Sequence, residues 1–379
     1  MSYFLTDDQR LIQQAVDEFC QNPDTQAAMV ADLATPGFPV NSWNALGEQG
    51  YIAAYVPEEF GGMGMDHTTQ LAIIEVLARY SYPALEALAA HHIAMSALTY
   101  WGTAEQKAKY LPGMCTGETV ACAALNDPAG SFNFSEWTFG IKPDGDDFRV
   151  TTTKVMVTNA HHADLKFIFS PREDGNGVGS AYIVRKGAEG VTTGHQEQRI
   201  VPIGGVDWGT IEVKDVKVAA GDVLHDTGFG QYFLQTGFME AGMMAVVAGE
   251  GAFQMALGYT SQRTNRGKPL ASKQAVAHRL VNMAIRSETS KQLCYTAARL
   301  WSAKRYEEAA RLCSMAKIDG CEGASTNIHE ATVLHGGLGY TPGAQIGVMN
   351  AMAVSWEIAE TPPDVQRDVL ARSLGIPLD

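Results

Sequence analysis

The sequence predicts an α+β chain with one block of strands set between two helical regions. Three observations carry this. Residues 1–118 hold helix-capping signatures followed by apolar residues at helical spacing; from 119 to 227 β-branched residues, Gly and Asp clusters take over; from 228 to 379 long segments rich in Ala, Met and Leu return. The chain reads as three domains with those boundaries, in keeping with 379 residues.

In the first region "TDDQRLIQQAVDEF" opens with Thr6 and Gln9 in capping-box spacing, and Leu11, Ile12, Ala15, Val16 and Phe19 share one face of the helix that follows. "TTQLAIIEVLARY" is apolar nearly throughout and reads as a buried helix. "GTAEQKAKYLPGM" begins with a second capping box, Thr103 to Gln106, and is expected to stop before Pro112, because proline breaks a helix interior. In the middle region "DDFRVTTTKVMVTNA", "LKFIFS", "SAYIVR" and "GTIEVKDVKVA" read as strands. In the last of these Ile211 and Val213 alternate, and Val216 and Val218 resume out of phase, which predicts a bulge or turn at Lys214–Asp215. Helices are expected over 235–258, 272–301 and 305–334. "VSWEIAETPPD" (354–364) reads as the last turns of a helix, then a carboxylate, then a stop at Pro362 and Pro363. Glu360 therefore sits where regular structure ends, a place the helix macrodipole makes unfavourable for an acid.

The composition is globular, 46% hydrophobic and 18% charged, with a net charge of −14. That balance argues against a nucleic-acid reader, which carries a basic face. No apolar run reaches the ~18 residues of a membrane span, and "MSYFLTDDQR" lacks the regions of a signal peptide, so a cytoplasmic protein is expected. The six cysteines form no CxxC and read as free thiols. The pairs His91–His92 and His161–His162 place neighbours on opposite sides of the chain, so no metal site is expected. A Walker A sequence is absent and "GGMGMD" does not satisfy GxGxxG, which leaves a P-loop or Rossmann site unsupported. Several stretches stay open on their own residues. "SQRTNRGKPLASKQ" gathers Arg263, Arg266, Lys268 and Lys273 either as a solvated helix end or as a site for phosphate groups. "LNDPAGSFNF" is a loop ahead of the strands, "VMVTNA" is accounted for by ordinary strand-to-turn chemistry, and "HGGLGY" is either a helix–helix turn or a close approach of backbone to a ligand.

Together, "PEEFGGMGMD", "GTAEQKAKYLPGMCTGETVACAALNDPAGS", "TTTKVMVTNAHHADLKFIFS", "GVTTGHQEQRIVPIGGVDWGTIEVKDVKV", "SQRTNRGKPLASKQ" and "HGGLGY" occur in the order seen in the acyl-CoA dehydrogenase family. The chain resembles that family from about residue 3 to 374. The resemblance implies an acyl-CoA dehydrogenase-like fold: an N-terminal helical domain, a middle β domain and a C-terminal four-helix bundle. It also implies bound FAD, oxidation of an acyl-CoA thioester between Cα and Cβ, and an electron-transferring flavoprotein as partner.

The family's glycine–aromatic pair, followed about twenty residues later by Glu-Gly-Thr, is matched by Gly339–Tyr340 and Glu360, with Gln366–Arg367 continuing the pattern. Glu360 is thereby carried over as the catalytic base rather than a surface acid. Removing a weakly acidic α-proton needs a positioned base and donors aimed at the developing enolate oxygen. Burial and the helix end are expected to raise this carboxyl above the ~4.3 of a free glutamate. By the same resemblance Asn126 and Ser131 match the flavin- and pantetheine-contacting loop. Met156, Val157 and Thr158 match the segment beside the flavin ring, with Thr158 placed to bond near N5. Arg263 and Gln274 match residues that reach a neighbouring subunit's FAD, and Gly336 and Gly337 match the turn under the adenine end. Ser131, Tyr340 and Thr361 fall on the substrate side.

The departures mark a divergent member. Thr361-Pro362 replaces Gly-Thr, Val333 stands where a Gln is common, Arg266 replaces an aromatic, and the loop at Pro128 is one residue short. The family's substrate-holding arginine has no match between 230 and 250, where Glu240 is the charged residue, so neutral acyl groups are expected over dicarboxylic ones unless Arg79 supplies a cation. The sequence thus predicts an FAD-dependent acyl-CoA dehydrogenase, or an enoyl-CoA reductase in reverse, assembled as a homotetramer, homodimer or heteromer. A non-catalytic subunit of a heteromeric dehydrogenase stays open beside it, as does an enzyme acting on a carrier-protein-bound acyl group.

Overall fold

The computed structural model describes residues 5–130, 134–175, 177–195, 204–226, 232, 234–341 and 343–378. The chain divides into two compact units: Asp7–Ile73 with Tyr80–Gly237, and a second built around Ile74–Arg79 with Phe238–Asp379.

The first unit begins with helices α1 (Asp7–Gln21), α2 (Pro23–Ala34), α3 (Val40–Glu48), the start of α4 (His67–Leu77), α5 (Tyr82–Trp101) and α6 (Ala104–Thr116). The inner face of α1 differs from the expected one. Gln9, Val16 and Cys20 are buried, whereas Leu11 is 62% exposed and Ala15 is exposed too. A polar residue can take the inward position because the Gln9 amide donates to Thr69 Oγ1 at 3.3 Å. Helix α5 is apolar all round and packs on the first strand of the sheet. Its two histidines serve the fold: His91 Nδ1 accepts from the Ala121 amide at 3.0 Å while Nε2 meets the Met114 carbonyl at 3.1 Å, and His92 Nε2 meets the Ile52 carbonyl at 2.7 Å. Burial, reinforced by neighbouring His92, pushes His91 down to about 3, so it is neutral.

The Thr103–Gln106 capping box forms as expected. The expected stop at Pro112 does not occur: α6 runs through it to Thr116 and ends at Gly117, whose φ of 79° is left-handed. Proline in a helix interior costs ~3 kcal/mol. Burial of Leu111, Met114 and Cys115 around it, at ~1.5–3 kcal/mol for a large apolar side chain, offsets that cost.

The strands are β1 (Ala121–Ala124), β2 (Phe139–Asp144), β3 (Asp147–Thr158), β4 (Leu165–Pro171), β5 (Val178–Arg185), β6 (Val191–His195), β7 (Trp208–Val218) and β8 (Val223–Leu224). They form two four-stranded sheets, ordered β1-β4-β5-β8 and β2-β3-β7-β6, with β1 parallel to β4. The bulge read at Lys214–Asp215 is present: both residues face the single Thr151, Asp215 has a φ of 52°, and its amide donates to Thr151 Oγ1 at 2.9 Å.

The second unit holds most of α7 (Gln235–Gln262), a short hairpin of β9 (Thr264–Asn265) and β10 (Lys268–Pro269), then α8 (Gln274–Ser302), α9 (Tyr306–His335), α10 (Gln345–Ile358) and α11 (Pro363–Ser373). The first three of these helices lie close to the spans read from composition. Helices α7 and α9 approach backbone to backbone at Gly242 and Gly320; a Cβ on Gly320 would come within 2.8 Å of the Gly242 carbonyl. The end of α4 belongs to this unit through Glu75. That carboxylate accepts from Lys291 Nζ at 2.9 Å, from Arg79 at 3.3 Å and from the Tyr295 hydroxyl, and Lys291 also reaches Glu250 at 2.5 Å. Burial alone would raise the Glu75 carboxyl, but Lys291, Tyr295 and Arg79 outweigh it and hold the group below its ordinary value.

Candidate active site

In the first unit the residues expected beside a flavin gather where β3 ends. The loop before β2 folds around Asp127, whose carboxylate accepts from the Ala129 amide at 3.1 Å and the Thr138 amide at 3.2 Å. Two successive residues of β3 clamp this loop. The Val155 amide donates to the Asn126 carbonyl at 2.9 Å, and the fully buried Lys154 donates to the Leu125 carbonyl at 3.0 Å. Lys154 Nζ also lies 3.7 Å from the Trp137 ring centre and 3.9 Å from Asp127 Oδ2. Burial pulls this ammonium down to about 7, with Asp127 acting the other way. Asn126, Met156, Val157 and Thr158 are thus brought together, while Ser131 lies outside the described residues.

A second bulge, unpredicted, shapes this segment. Val155 and Met156 face the single Thr210, and Met156 has a φ of 54°. A bulge re-aims the side chains that follow it. Thr158, the last residue of β3, is half-buried; its Oγ1 accepts from Trp208 Nε1 at 2.9 Å. An indole N–H only donates, so the Thr158 hydroxyl proton is left to point elsewhere. The chain then turns at buried Asn159, with φ 64° and Nδ2 bonded to the Ala87 carbonyl at 2.8 Å. Asp207 fixes the turn by accepting from the His161 and His162 amides, each at 2.9 Å.

In the second unit α10 separates two groups of expected residues. At its start lies the turn Gly336–Tyr340. Gly336 has φ 61° and ψ −142°, a conformation essentially reserved for glycine, and a Cβ on Gly336 or Gly337 would meet nothing within 4 Å. Tyr340 is 91% exposed. The 14 residues of α10 then span roughly 21 Å, so Glu360 stands far from that turn. Glu360 is half-buried and has a φ of 60°, in the left-handed region that a β-carbon disfavours. The Thr361 amide donates to the Ala359 carbonyl at 2.7 Å, and its buried hydroxyl oxygen has no hydrogen-bond partner among the described residues. Arg263 and Gln274 are both exposed, Arg263 just after α7 and Gln274 at the start of α8, on either side of the β9–β10 hairpin, whose turn residues Arg266 and Gly267 have φ of 52° and 73°. Val333 is exposed, Glu240 is buried on α7, and Arg79 is engaged with Glu75.

Two family profiles match the chain: "Acyl-CoA dehydrogenase, N-terminal domain" over residues 6–118 and "Acyl-CoA dehydrogenase, C-terminal domain" over 230–375. The probable acyl-CoA dehydrogenase YngJ of Bacillus subtilis is 30% identical over 383 residues, covering 99% of this chain and 100% of that protein. The chain belongs to the acyl-CoA dehydrogenase family. It is a flavin-dependent oxidoreductase with FAD as cofactor. Solved structures agree on the fold. Butyryl-CoA dehydrogenase from Megasphaera elsdenii matches with a TM-score of 0.88 and 25% identity, over 99% of this chain and 100% of that one. A chain from a structure described as the electron transferring flavoprotein of Acidaminococcus fermentans matches with a TM-score of 0.88 and 26% identity, over 99% of each chain. None of the described helices is long and apolar enough to cross a membrane.

The residues of this family member suit FAD in kind. The Thr158 hydroxyl has a proton to give, and the backbone at Gly336–Gly337 is open to a close-lying ligand. Sequence reasoning missed Trp208, Asp207, and the buried lysines Lys154, Lys166 and Lys317. Two of the lysines had left a trace. Lys154 occupies an inward position in the alternation Val150, Thr152, Lys154, and Lys317 stands among the inward residues Cys313, Ala316 and Cys321 of α9.

Proposed function

We propose that this protein removes the α-proton and β-hydride of an acyl-CoA thioester, or adds them to an enoyl-CoA in the reverse direction, with Glu360 as the base. The observation that carries the reading is Glu360 itself, a half-buried carboxylate held at a left-handed φ between the end of α10 and Pro362. A backbone conformation that costs ~1–3 kcal/mol at a non-glycine residue marks a place where a side chain's aim matters.

Bound FAD supplies the two-electron acceptor for the β-hydride. The chain's own residues do the rest. Glu360 takes the α-proton from Cα, and its backbone amide is the donor offered to the thioester oxygen as negative charge develops there. Thr158, fixed as a donor by Trp208, holds the flavin ring together with the backbone of Met156 and Val157. Asn126 and Ser131 serve the flavin and pantetheine side, Gly336 and Gly337 the adenine end, and Tyr340 and Thr361 the substrate. Arg263 and Gln274, exposed at the α7–α8 junction, serve the FAD of a neighbouring subunit, which makes a homotetramer the proposed assembly and a homodimer the next. Electrons pass to an electron-transferring flavoprotein in the cytoplasm. The reaction's direction follows the potential of that partner.

Glu360→Gln tests the reading. It keeps the shape and removes the proton acceptor, so activity on the best acyl-CoA should fall at least ~100-fold while flavin absorbance stays near normal. Full activity in that variant would exclude Glu360 as the base and turn attention to the buried Glu240.

A further inference from the structure

Lys317 lies in the middle of α9 with its side chain fully buried. An ammonium in such a place needs partners for its three protons. Among the described residues it has two: the carbonyl of Trp356, and Cys321 Sγ at 3.2 Å. No carboxylate forms an ion pair with it among the described residues.

Trp356 is in the last turn of α10, where carbonyls have no partner within the helix and the macrodipole is negative. The backbone that follows is tightly wound. The Ala359 amide bonds the Ser355 carbonyl at 2.8 Å, the Thr361 amide bonds the Ala359 carbonyl at 2.7 Å, and Glu360 between them is left-handed. Lys317 therefore holds the helix turn from which Glu360 projects. Among the described residues, the charged and titratable groups around this junction include Lys317, Cys313 and Cys321 on α9, Cys294 on α8, Glu357 and Glu360 at and beyond the end of α10, and the Glu322–Arg367 pair, at 2.7 Å, between α9 and α11. The Cys321 thiol, 3.2 Å from Lys317 Nζ, is raised by burial, which Lys317 opposes and Glu357 and Glu360 reinforce; these two acids follow Trp356, whose carbonyl Lys317 bonds, by one and four residues.

We propose that Lys317 is a positioning residue for Glu360: it caps the carbonyl end of α10, fixes the left-handed turn, and supplies the positive charge beside the carboxylate. The proposal rests on Glu360 being the base. It accounts for a buried lysine that has no ion pair among the described residues, because the helix dipole and the nearby acids stand in for one. A general base displaced by about 1 Å can lose up to ~100-fold in rate, which sets the expected scale.

The test compares Lys317→Met and Lys317→Arg with the wild-type holoenzyme, using amide hydrogen exchange of the 354–362 segment, kcat, KM and the pH profile of kcat. Lys317→Met should speed exchange of the Ala359 and Thr361 amides by ~10-fold or more. It should lower kcat by ~10- to 100-fold with little change in KM, and move the acid limb to higher pH. Lys317→Arg, which keeps charge and donors, should restore the acid limb and most of kcat. Unchanged exchange in a folded Lys317→Met would overturn the capping whatever the activity shows. If Lys317→Met is recovered unfolded, Lys317→Arg decides: wild-type exchange and acid limb support the proposal, and faster exchange with a wild-type kcat refutes it. Failure of the base itself is seen separately, as an active Glu360→Gln.

Discussion

Lys154→Met isolates the buried cation beneath the loop that carries Asn126. In the folded chain Lys154 titrates near 7 instead of 10.5, because burial opposes its charge more strongly than Asp127 at 3.9 Å supports it. Between those two values the unfolded chain binds the proton and the folded chain does not. Stability must therefore rise with pH across that window, by up to ~1.4 kcal/mol per pH unit and by roughly 5 kcal/mol in all as an upper bound. Below pH ~7 the penalty is present in full. Methionine fills similar space and cannot titrate. It leaves the Leu125 carbonyl without its donor, a loss that is nearly constant above pH 7, where the folded Lys154 is already neutral. Urea unfolding followed by circular dichroism, at pH 6, 7.5 and 9, gives the difference between wild type and Lys154→Met, which cancels every other titrating group. That difference should move in favour of the wild type as pH rises from 7.5 to 9. Parallel pH profiles for the two proteins would refute the reasoning and mean that the ammonium keeps its ordinary affinity for a proton.

Glu75→Gln should destabilise the second unit by about 2–3 kcal/mol, less than the ~3–5 of a wholly broken buried pair because Lys291 keeps Glu250 at 2.5 Å. Since the Glu75 carboxyl is held below its ordinary value, its contribution is present above pH ~4.5 and lost as pH falls through the folded value; the gap in melting temperature between wild type and variant should close in acid. Light scattering should find an oligomer, because Arg263 and Gln274 are exposed at the α7–α8 junction; a stable monomer that retains flavin would remove the role given to them.

The sequence by itself determined the order of elements. Helix capping at Thr103–Gln106, the apolar spacing of α7, α8 and α9, and the phase slip at Lys214–Asp215 are local signals, set by hydrogen bonds and side-chain periodicity within a few residues of one another. The same locality placed Glu360 just past a helix end. Short Ala-rich β1 gave no such signal, since its pairing with β4 is a matter of sheet contacts rather than propensity. Tertiary structure alone decided the rest. It carried α6 through Pro112, turned Gln9 inward and Leu11 outward, and drew the bulge at Val155–Met156 that aims Thr158. It also buried Lys154 and Lys317 against the carbonyls of Leu125 and Trp356. A lysine's partners here come from residues 29 and 39 positions away in the chain. No periodicity reaches that far, because which carbonyl is left without a partner depends on how the helices and sheets pack, not on the residues beside the lysine.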